Sequence, residues 1–143
     1  MKTKNLMKLF LILVATISLS ACDEWNNGIE RNSTQALCSK IWVETYTTSD
    51  HYYCTHKLSF NPQGNGQEIF IYNTLDLNNK PLPTVAKTIS YSFTWEWDND
   101  NMECLIMNYG NNDILYFENV WVRNDYLSGK LNGENVTFNN ANL

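Results

Sequence analysis

A ten-residue stretch in the middle of the chain alternates strictly between apolar and polar residues. From Thr88 to Trp97, the odd-numbered positions carry Ile, Tyr, Phe, Trp and Trp, and the even-numbered ones carry Thr, Ser, Ser, Thr and Glu. Successive side chains of a β-strand point to opposite faces, so this pattern gives one apolar and one polar face. A helix would spread the same apolar side chains around its circumference. The stretch therefore predicts a strand of an antiparallel sheet with water on one side.

The start of the chain has the pattern of a secretory signal. Lysines near the N-terminus precede the apolar run Leu9–Leu19, which is too short to span a membrane. The residues Leu19-Ser20-Ala21-Cys22 resemble the lipobox of bacterial lipoproteins. The resemblance implies a signal peptide over residues 1–21, cleavage before Cys22, and a membrane anchor of diacylglycerol and acyl chains such as palmitate on its sulfur. An ordinary signal peptide followed by a chance cysteine is the alternative.

Removal of residues 1–21 would leave 7 basic residues against 15 acidic ones, a formal net charge of −8. No basic run remains, so we expect no nucleic-acid partner. We expect a lipid-anchored protein of the bacterial cell envelope, at the outer membrane. The sequence does not decide whether the protein faces the periplasm or the cell surface, because Asp23 and Glu24 resemble sorting signals of opposite meaning. Residues 22–35 are predicted to be the lipidated N-terminus and a flexible tether, and residues 36–143 the folded domain.

Turn-forming residues divide that domain into about eight short segments of strand character. The predicted strands are residues 41–48, 51–61, 67–74, 88–97, 102–109, 114–123, 126–131 and 136–138. Tight turns, such as Asn132-Gly133, join most of them, which predicts an all-β, antiparallel up-and-down meander. Eight such strands can close into a small β-barrel, and an open or two-layer sandwich is the alternative.

Two segments fall outside this rhythm. Residues 35–40 are predicted to form one turn of helix or a plug before the first strand. Residues 75–87 form the longest irregular segment and contain Pro81 and Pro83. A proline has no N–H to donate to a sheet, so this segment is predicted to be a loop or a sheet edge that could act as a lid.

Four short segments, taken in order, point to one family. They are Leu37-Cys38-Ser39-Lys40-Ile41-Trp42, Leu58-Ser59-Phe60-Asn61-Pro62-Gln63-Gly64-Asn65-Gly66, Tyr91-Ser92-Phe93-Thr94-Trp95 and Tyr126-Leu127-Ser128-Gly129. Together they resemble the lipocalin-like domains found in many small lipoproteins of the Bacteroidetes, over about residues 36–138. The glycine usual before the first tryptophan is replaced by Lys40-Ile41. The resemblance implies a small lipocalin-like β-barrel that can bind an apolar ligand, and it implies neither a reaction nor a cofactor.

Three cysteines remain besides Cys22. The envelope is oxidising, so one disulfide can form and leave one thiol over. Cys54 and Cys104 lie in the middle of predicted strands and could meet inside a small barrel. Cys38 could instead reach either of them from the plug, and all three could simply be small buried apolar residues.

Candidate metal and catalytic residues are few. Cys54 and His56 share a strand face, about 6.6 Å apart, but His51 falls on the other face and no second cluster completes a zinc site. Asp98–Asn101 begins like a calcium-binding EF-hand loop, yet Glu103 stands where that loop requires glycine. No phosphate loop, nucleophile elbow or zinc-protease motif occurs. We therefore expect no metal, no cofactor and no enzymatic activity, and a hydrolase is the least favoured alternative.

The aromatic residues carry the functional hypothesis. They could fill the barrel as core, or they could line a cavity or mouth for a small apolar or aromatic ligand. The residues predicted to bind the ligand are Trp42, Phe60, Tyr91, Phe93, Trp95 and Trp97. The leading hypothesis is a barrel that binds a small hydrophobic ligand or an envelope partner protein. The alternative is an inhibitor or accessory subunit with a filled barrel, which docks through Asp98–Asn101 and Gly110–Asp113.

Overall fold

Eight antiparallel strands, each hydrogen-bonded to its neighbours in sequence, close into a barrel in the computed structural model, which describes residues 31–142. The strands are β1 (Ile41–Thr47), β2 (Tyr52–Asn61), β3 (Asn65–Leu75), β4 (Pro81–Trp97), β5 (Cys104–Gly110), β6 (Asp113–Val122), β7 (Tyr126–Leu131) and β8 (Glu134–Asn140). One short helix, α1 (Thr34–Cys38), precedes β1. The predicted all-β meander and its closure are confirmed, because β1 pairs with β8. The predicted signal peptide and Cys22 lie outside the described residues.

The alternating stretch of the sequence forms the second half of β4. Phe93 and Trp95 are buried inside the barrel, while Ser92 and Thr94 face solvent. The strand begins earlier than predicted, because Pro81 to Lys87 also pairs with β3. A loop over all of residues 75–87 is therefore wrong, but residues 81–87 lie at a sheet edge, the other form predicted for this segment, and a role as a lid stays a prediction. Residues 76–80 form a tight turn, and residues 81–87 are the first part of β4.

The closed end of the barrel is the end at which β1 begins, and α1 lies there. Ser33 caps the helix, because its hydroxyl accepts a hydrogen bond from the backbone N–H of Ala36. The indole N–H of Trp42 donates to the carbonyl of Leu37 at 3.0 Å. The indole N–H of Trp97 donates to the hydroxyl of Thr34 at 3.1 Å. Helix α1 thus plugs this end, as predicted for residues 35–40.

Asn32 fixes the entry of the chain into the closed end. Its amide nitrogen donates to the carbonyls of Met102 and Val120, and its amide oxygen accepts from the backbone N–H of Val122. Residues 32–35 therefore belong to the folded domain. The boundary predicted between residues 35 and 36 is too late, because a local Asn-Ser-Thr sequence does not reveal hydrogen bonds to strands about 70–90 residues away.

Two seams in the barrel are paired over only part of their length. At the first seam, β4 pairs with β5 only from Thr94 to Trp97. At the second, β1 pairs with β8 only at Trp42 and Val43. Both short ladders lie at the closed end. Consequently β1–β4 and β5–β8 form two four-stranded halves that are joined at the closed end and are not paired with each other at the opposite end, which we call the open end.

Aromatic rings fill the interior near the closed end. Trp42, Phe117 and Phe138 are fully buried, and Phe60 and Trp95 meet edge to face with centroids 5.6 Å apart. Gly66 and Gly129 permit this packing. A Cβ on Gly66 would lie 2.2 Å from the ring of Phe93, and one on Gly129 would lie 2.7 Å from the ring of Phe117. A side chain at either glycine would displace a core ring.

The three cysteines in the described part of the chain are free thiols. Cys54 faces the interior near the open end and is fully buried. Cys104 begins β5 at the closed end, and the neighbours that face inward there are Leu105 and Met107. The predicted Cys54–Cys104 disulfide is therefore wrong, because the two sulfur atoms lie at opposite ends and on opposite faces of the wall.

We expect Trp95→Ala to lower the free energy of unfolding by about 3–5 kcal/mol. The substitution removes a buried ring, together with its indole N–H, which donates to the carbonyls of Asn61 and Asn65. Urea denaturation monitored by circular dichroism measures the change. Trp121, which is 54% exposed on the outer wall, is the matched control, and Trp121→Ala should cost less than about 1 kcal/mol. Equal losses in the two variants would contradict this account of the core.

Candidate functional site

Inward-facing rings become exposed at the open end of the barrel. Along β4 the exposed fraction rises from 4% at Phe93 to 47% at Tyr91, although both side chains point to the same side of the sheet. Tyr46 on β1 and Tyr52 on β2 are 40% and 37% exposed. We call this surface the open-end face, and it consists of Tyr46, Tyr52, Phe70, Tyr72, Tyr91 and Tyr109. It is exposed because the opposing half of the barrel is not paired with it at this height.

The rings of the open-end face contact one another edge to face. The centroids of Tyr52 and Tyr72 are 6.3 Å apart, as are those of Phe70 and Tyr91 and those of Tyr91 and Tyr109. Such contacts restrict ring rotation and hold the surface in one shape. Cross-strand register produces the first two of these contacts as diagonal neighbours, since Tyr72 pairs with Cys54, two residues from Tyr52, and Phe70 pairs with Ile89, two residues from Tyr91. The result is an ordered aromatic surface built from four adjacent strands and one residue of β5.

A hydrogen-bonded chain of three polar side chains lies beneath this surface and ends at the hydroxyl of Tyr109, one of the rings of the surface. The ring nitrogens of His56 contact Glu44 Oε1 and Glu68 Oε1, each at 2.7 Å. The hydroxyl of Tyr109 donates to the second oxygen of Glu68 at 2.8 Å. His56 and Glu68 are buried, whereas the Glu44 side chain is 22% exposed. The chain therefore runs across the barrel from β1 to β5 and reaches solvent at Glu44.

The two carboxylates determine the charge of His56. Burial lowers its pKa, but the hydrogen bonds to Glu44 and Glu68 and the charges of the two carboxylates outweigh burial, so the pKa of His56 is raised. An imidazolium donates an N–H to each carboxylate, which matches the two short contacts. Burial, followed by the adjacent charge of Glu68, also raises the pKa of the Tyr109 hydroxyl. When His56 is protonated, the floor of the site holds one positive charge between two carboxylates.

The structure separates the residues predicted to bind a ligand into three groups. Trp42, Phe60, Phe93 and Trp95 are buried among other core rings, so they fill the interior. Trp97 is half-buried against α1 at the closed end. Tyr91 alone of the six is substantially exposed at the open end. A ligand cavity lined by all six residues stays a prediction, and their placement agrees with the simpler interpretation of a filled core.

Two surface depressions in the described residues lie outside the barrel interior. One, of about 300 Å³, lies on the outer wall of β6–β8 beside Trp121. The other, of about 350 Å³, lies at the β2–β3 hairpin around Gly66. Both are open and shallow. Neither depression is lined by residues of the open-end face.

Several residues of the open end were missed by sequence reasoning. Glu44 and Glu68 are two residues from Trp42 and Phe70, so each lies on the inward face of its strand. Strand alternation could have placed both carboxylates inside, on the same side as His56. Their contact with one another through His56 depends on cross-strand register, which the sequence leaves open.

The two loops of the alternative docking hypothesis lie at opposite ends of β5. Asp98–Asn101 precedes the strand at the closed end, and Gly110–Asp113 follows it at the open end. A strand of this length separates them by about 20 Å, because each residue advances a strand by 3.3 Å. They do not form one continuous surface, so a partner that docks through both loops would have to span the length of β5, and docking through these loops stays a prediction.

Metal ligands do not converge in the described part of the chain, residues 31–142. No group of three His, Cys, Asp or Glu side chains there is placed to hold a metal ion. His56, which the sequence offered as a ligand with Cys54, uses both ring nitrogens in hydrogen bonds to carboxylates.

Comparisons with known proteins identify no relative. No protein-family model, curated protein or solved structure matches this chain.

We expect the stability of the protein to fall as the pH rises above about 6.5, the pKa of an unfolded histidine. The raised pKa of folded His56 makes its charged form stabilising below that value, and this contribution is lost as the pH rises through the folded pKa. Urea denaturation across this pH range, compared between the wild type and His56→Gln, should show the decline only in the wild type.

His51 provides the matched control for this experiment, because it is the other histidine and lies exposed in the β1–β2 turn. His51→Gln should keep the pH dependence of the wild type. The chemical shifts of the imidazole protons of His56 give a second readout, in which this ring titrates above the ordinary pKa of histidine. Titration of His56 at or below the ordinary pKa of histidine would contradict the charged network.

Proposed function

We propose that this chain is a lipid-anchored, lipocalin-like lipoprotein of the bacterial cell envelope, and that its barrel binds another molecule at the open end without catalysing a reaction. One observation carries the proposal: inward-facing tyrosine rings lie exposed next to a buried charge network, as with Tyr91 beside its cross-strand partner Glu68. Monomeric soluble proteins seldom expose a contiguous apolar surface unless it contacts something.

The chemistry of the open-end face indicates the class of ligand. Ring faces offer contact to planar or apolar groups, while tyrosine hydroxyls offer hydrogen bonds at the edges. Glu44, which is partly exposed, adds an acceptor for a hydroxyl or a positively charged group. A small ligand with an apolar face and a donor group fits these features. Because core rings fill the interior, such a ligand would rest on the open end rather than enter the barrel.

The lipid anchor is proposed from the sequence around Cys22. The described chain enters the barrel at the closed end, where Asn32 and α1 are held.

A partner protein is the second candidate occupant of the open end. The filled interior favours it, since docking requires only an exposed surface, and Tyr is among the residues enriched in protein interfaces. In this form the protein is an accessory or inhibitory subunit that docks through the open-end face. The β5–β6 hairpin at Asn111 and Asn112 borders the same end.

A photo-crosslinking amino acid at position 91 should capture the bound molecule in cells that produce the protein. The matched control is the same amino acid at position 121, where the native Trp121 has a similar exposed fraction on the outer wall. We expect an adduct with a molecule other than this chain at position 91 and none at position 121. Mass spectrometry distinguishes a small molecule from a protein. Absence of an adduct at position 91, or equal adducts at both positions, would refute the proposed site.

We expect the protein to incorporate a clickable palmitate analogue and to sediment with membranes, and we expect Cys22→Ser to do neither. The thiol of Cys22 is the attachment point in the proposed anchor. Cys104→Ser serves as the control, because Cys104 lies in the barrel wall at the start of β5. Label retained in Cys22→Ser would contradict the anchor and leave the proposed binding surface unaffected.

A further inference from the structure

The edge of β4 that faces away from β3 is unpaired over much of its length. On its other side, β4 pairs with β3 from Pro81 to Thr94. The pairing with β5 begins only at Thr94, so among the described residues the outer edge of Lys87–Phe93 has no partner strand. An unpaired edge presents a row of backbone N–H and C=O groups that fits another strand.

Two features limit the length of this edge. The ladder with β5 ends it at Thr94 on one side. On the other side, the register with β3 shifts between Val85 and Lys87, and Pro81 and Pro83 follow toward the tip. A regular strand partner can therefore pair only along Lys87–Phe93. The partner must also diverge beyond Lys87, which the irregular register of this chain at Val85 allows.

We propose that this edge pairs with the same edge of a second copy of the chain, antiparallel and centred on Ser90. The side chains within the window are self-complementary in this register. On the inward face, Ile89 lies opposite the partner's Tyr91, a β-branched residue against an aromatic one. On the outward face, Thr88 lies opposite the partner's Ser92, and Ser90 lies opposite the partner's Ser90. Hydroxyl pairs and aromatic pairs of this kind stabilise antiparallel strands.

Charge also favours a second copy at this edge. The chain is acidic overall, but residues 77–95 contain no Asp or Glu. The one charged side chain in the window, Lys87, packs over the ring of Tyr72 at 5.5 Å and lies opposite the partner's Phe93 in the proposed register. No like charges therefore face each other across the two-fold axis. Shifting the register by one residue would place the apolar face of one strand beside the polar face of the other.

The dimer extends the sheet across the two-fold axis. Strands β1–β4 of one copy continue into those of its partner, and Ile89 and Tyr91 lose exposed surface at the junction. Both open ends lie beside this junction. The contact is small compared with stable interfaces of about 1,200–2,000 Å², so we expect a reversible dimer that forms at high protein concentration.

Disulfide trapping in the full-length chain tests the register. In Ser90→Cys, the two introduced cysteines lie opposite each other, with Cα atoms about 4.5–5.5 Å apart, within disulfide range. We expect mild oxidation to give a covalent dimer. Ser92→Cys is the matched control, since it lies on the same edge and face but about 13 Å from its own copy in this register. It should stay monomeric, as should the wild type, which reports any bridging by the native cysteines.

A mixture of Thr88→Cys and Ser92→Cys proteins should form mixed dimers, because these two positions are opposite each other. A Ser90→Lys variant should lower the dimer fraction in sedimentation, since it places like charges directly opposite, whereas Ser92→Lys should lower it less. Circular dichroism confirms that each variant is folded. Equal trapping at positions 90 and 92, no trapping at position 90, or a disulfide to a different protein at position 90 would each overturn the proposal.

Discussion

The extent of strand pairing at the β4–β5 and β1–β8 seams determines which inward-facing side chains are buried. A hydrogen-bonded ladder holds neighbouring strands about 4.8 Å apart, so the two halves stay close wherever β4 pairs with β5 and β1 pairs with β8. Beyond those short ladders, no backbone pairing joins the two halves within residues 31–142. The consequence is visible along β4, where Phe93 is buried and Tyr91, two residues further from the closed end, is nearly half exposed.

The charge network lies where the apolar core ends. Burying the imidazolium of His56 is costly, and the two carboxylates beside it offset that cost only because both contacts are short. His56 also stacks on Phe70 and meets Phe138 edge to face, and Glu68 accepts a hydrogen bond from Tyr109. These contacts connect β1–β4 with β5 and β8, nearer the open end than the two short ladders. Side chains thus join β1–β4 to β5–β8 at a level of the barrel where the described strands of the two halves are not paired.

Local pattern predicted much of the fold. The alternation in β4 and the turn residues predicted eight strands, and Asn132 and Gly133 have the positive φ angles expected of their hairpin turn. The extent of pairing at the seams could not be predicted, because it depends on contacts between strands and not on local sequence. The aromatic residues were misjudged for the same reason. Alternation shows that Trp95 and Tyr91 both face inward. It does not show that Trp95 lies where β4 pairs with β5 and that Tyr91 lies beyond the end of that pairing.

A barrel with a filled interior cannot select a ligand by enclosing it, so selectivity must come from what its open end presents. Here that end presents two different chemistries. Side chains such as Tyr91 and Glu44 offer ring faces and a carboxylate, whereas the β4 edge offers backbone hydrogen bonds. Both arise from the same early end of the β4–β5 ladder at Thr94. A longer β4–β5 ladder would cover the rings of the open-end face and would also pair the free edge of β4. The short ladder therefore accounts for both proposed contacts.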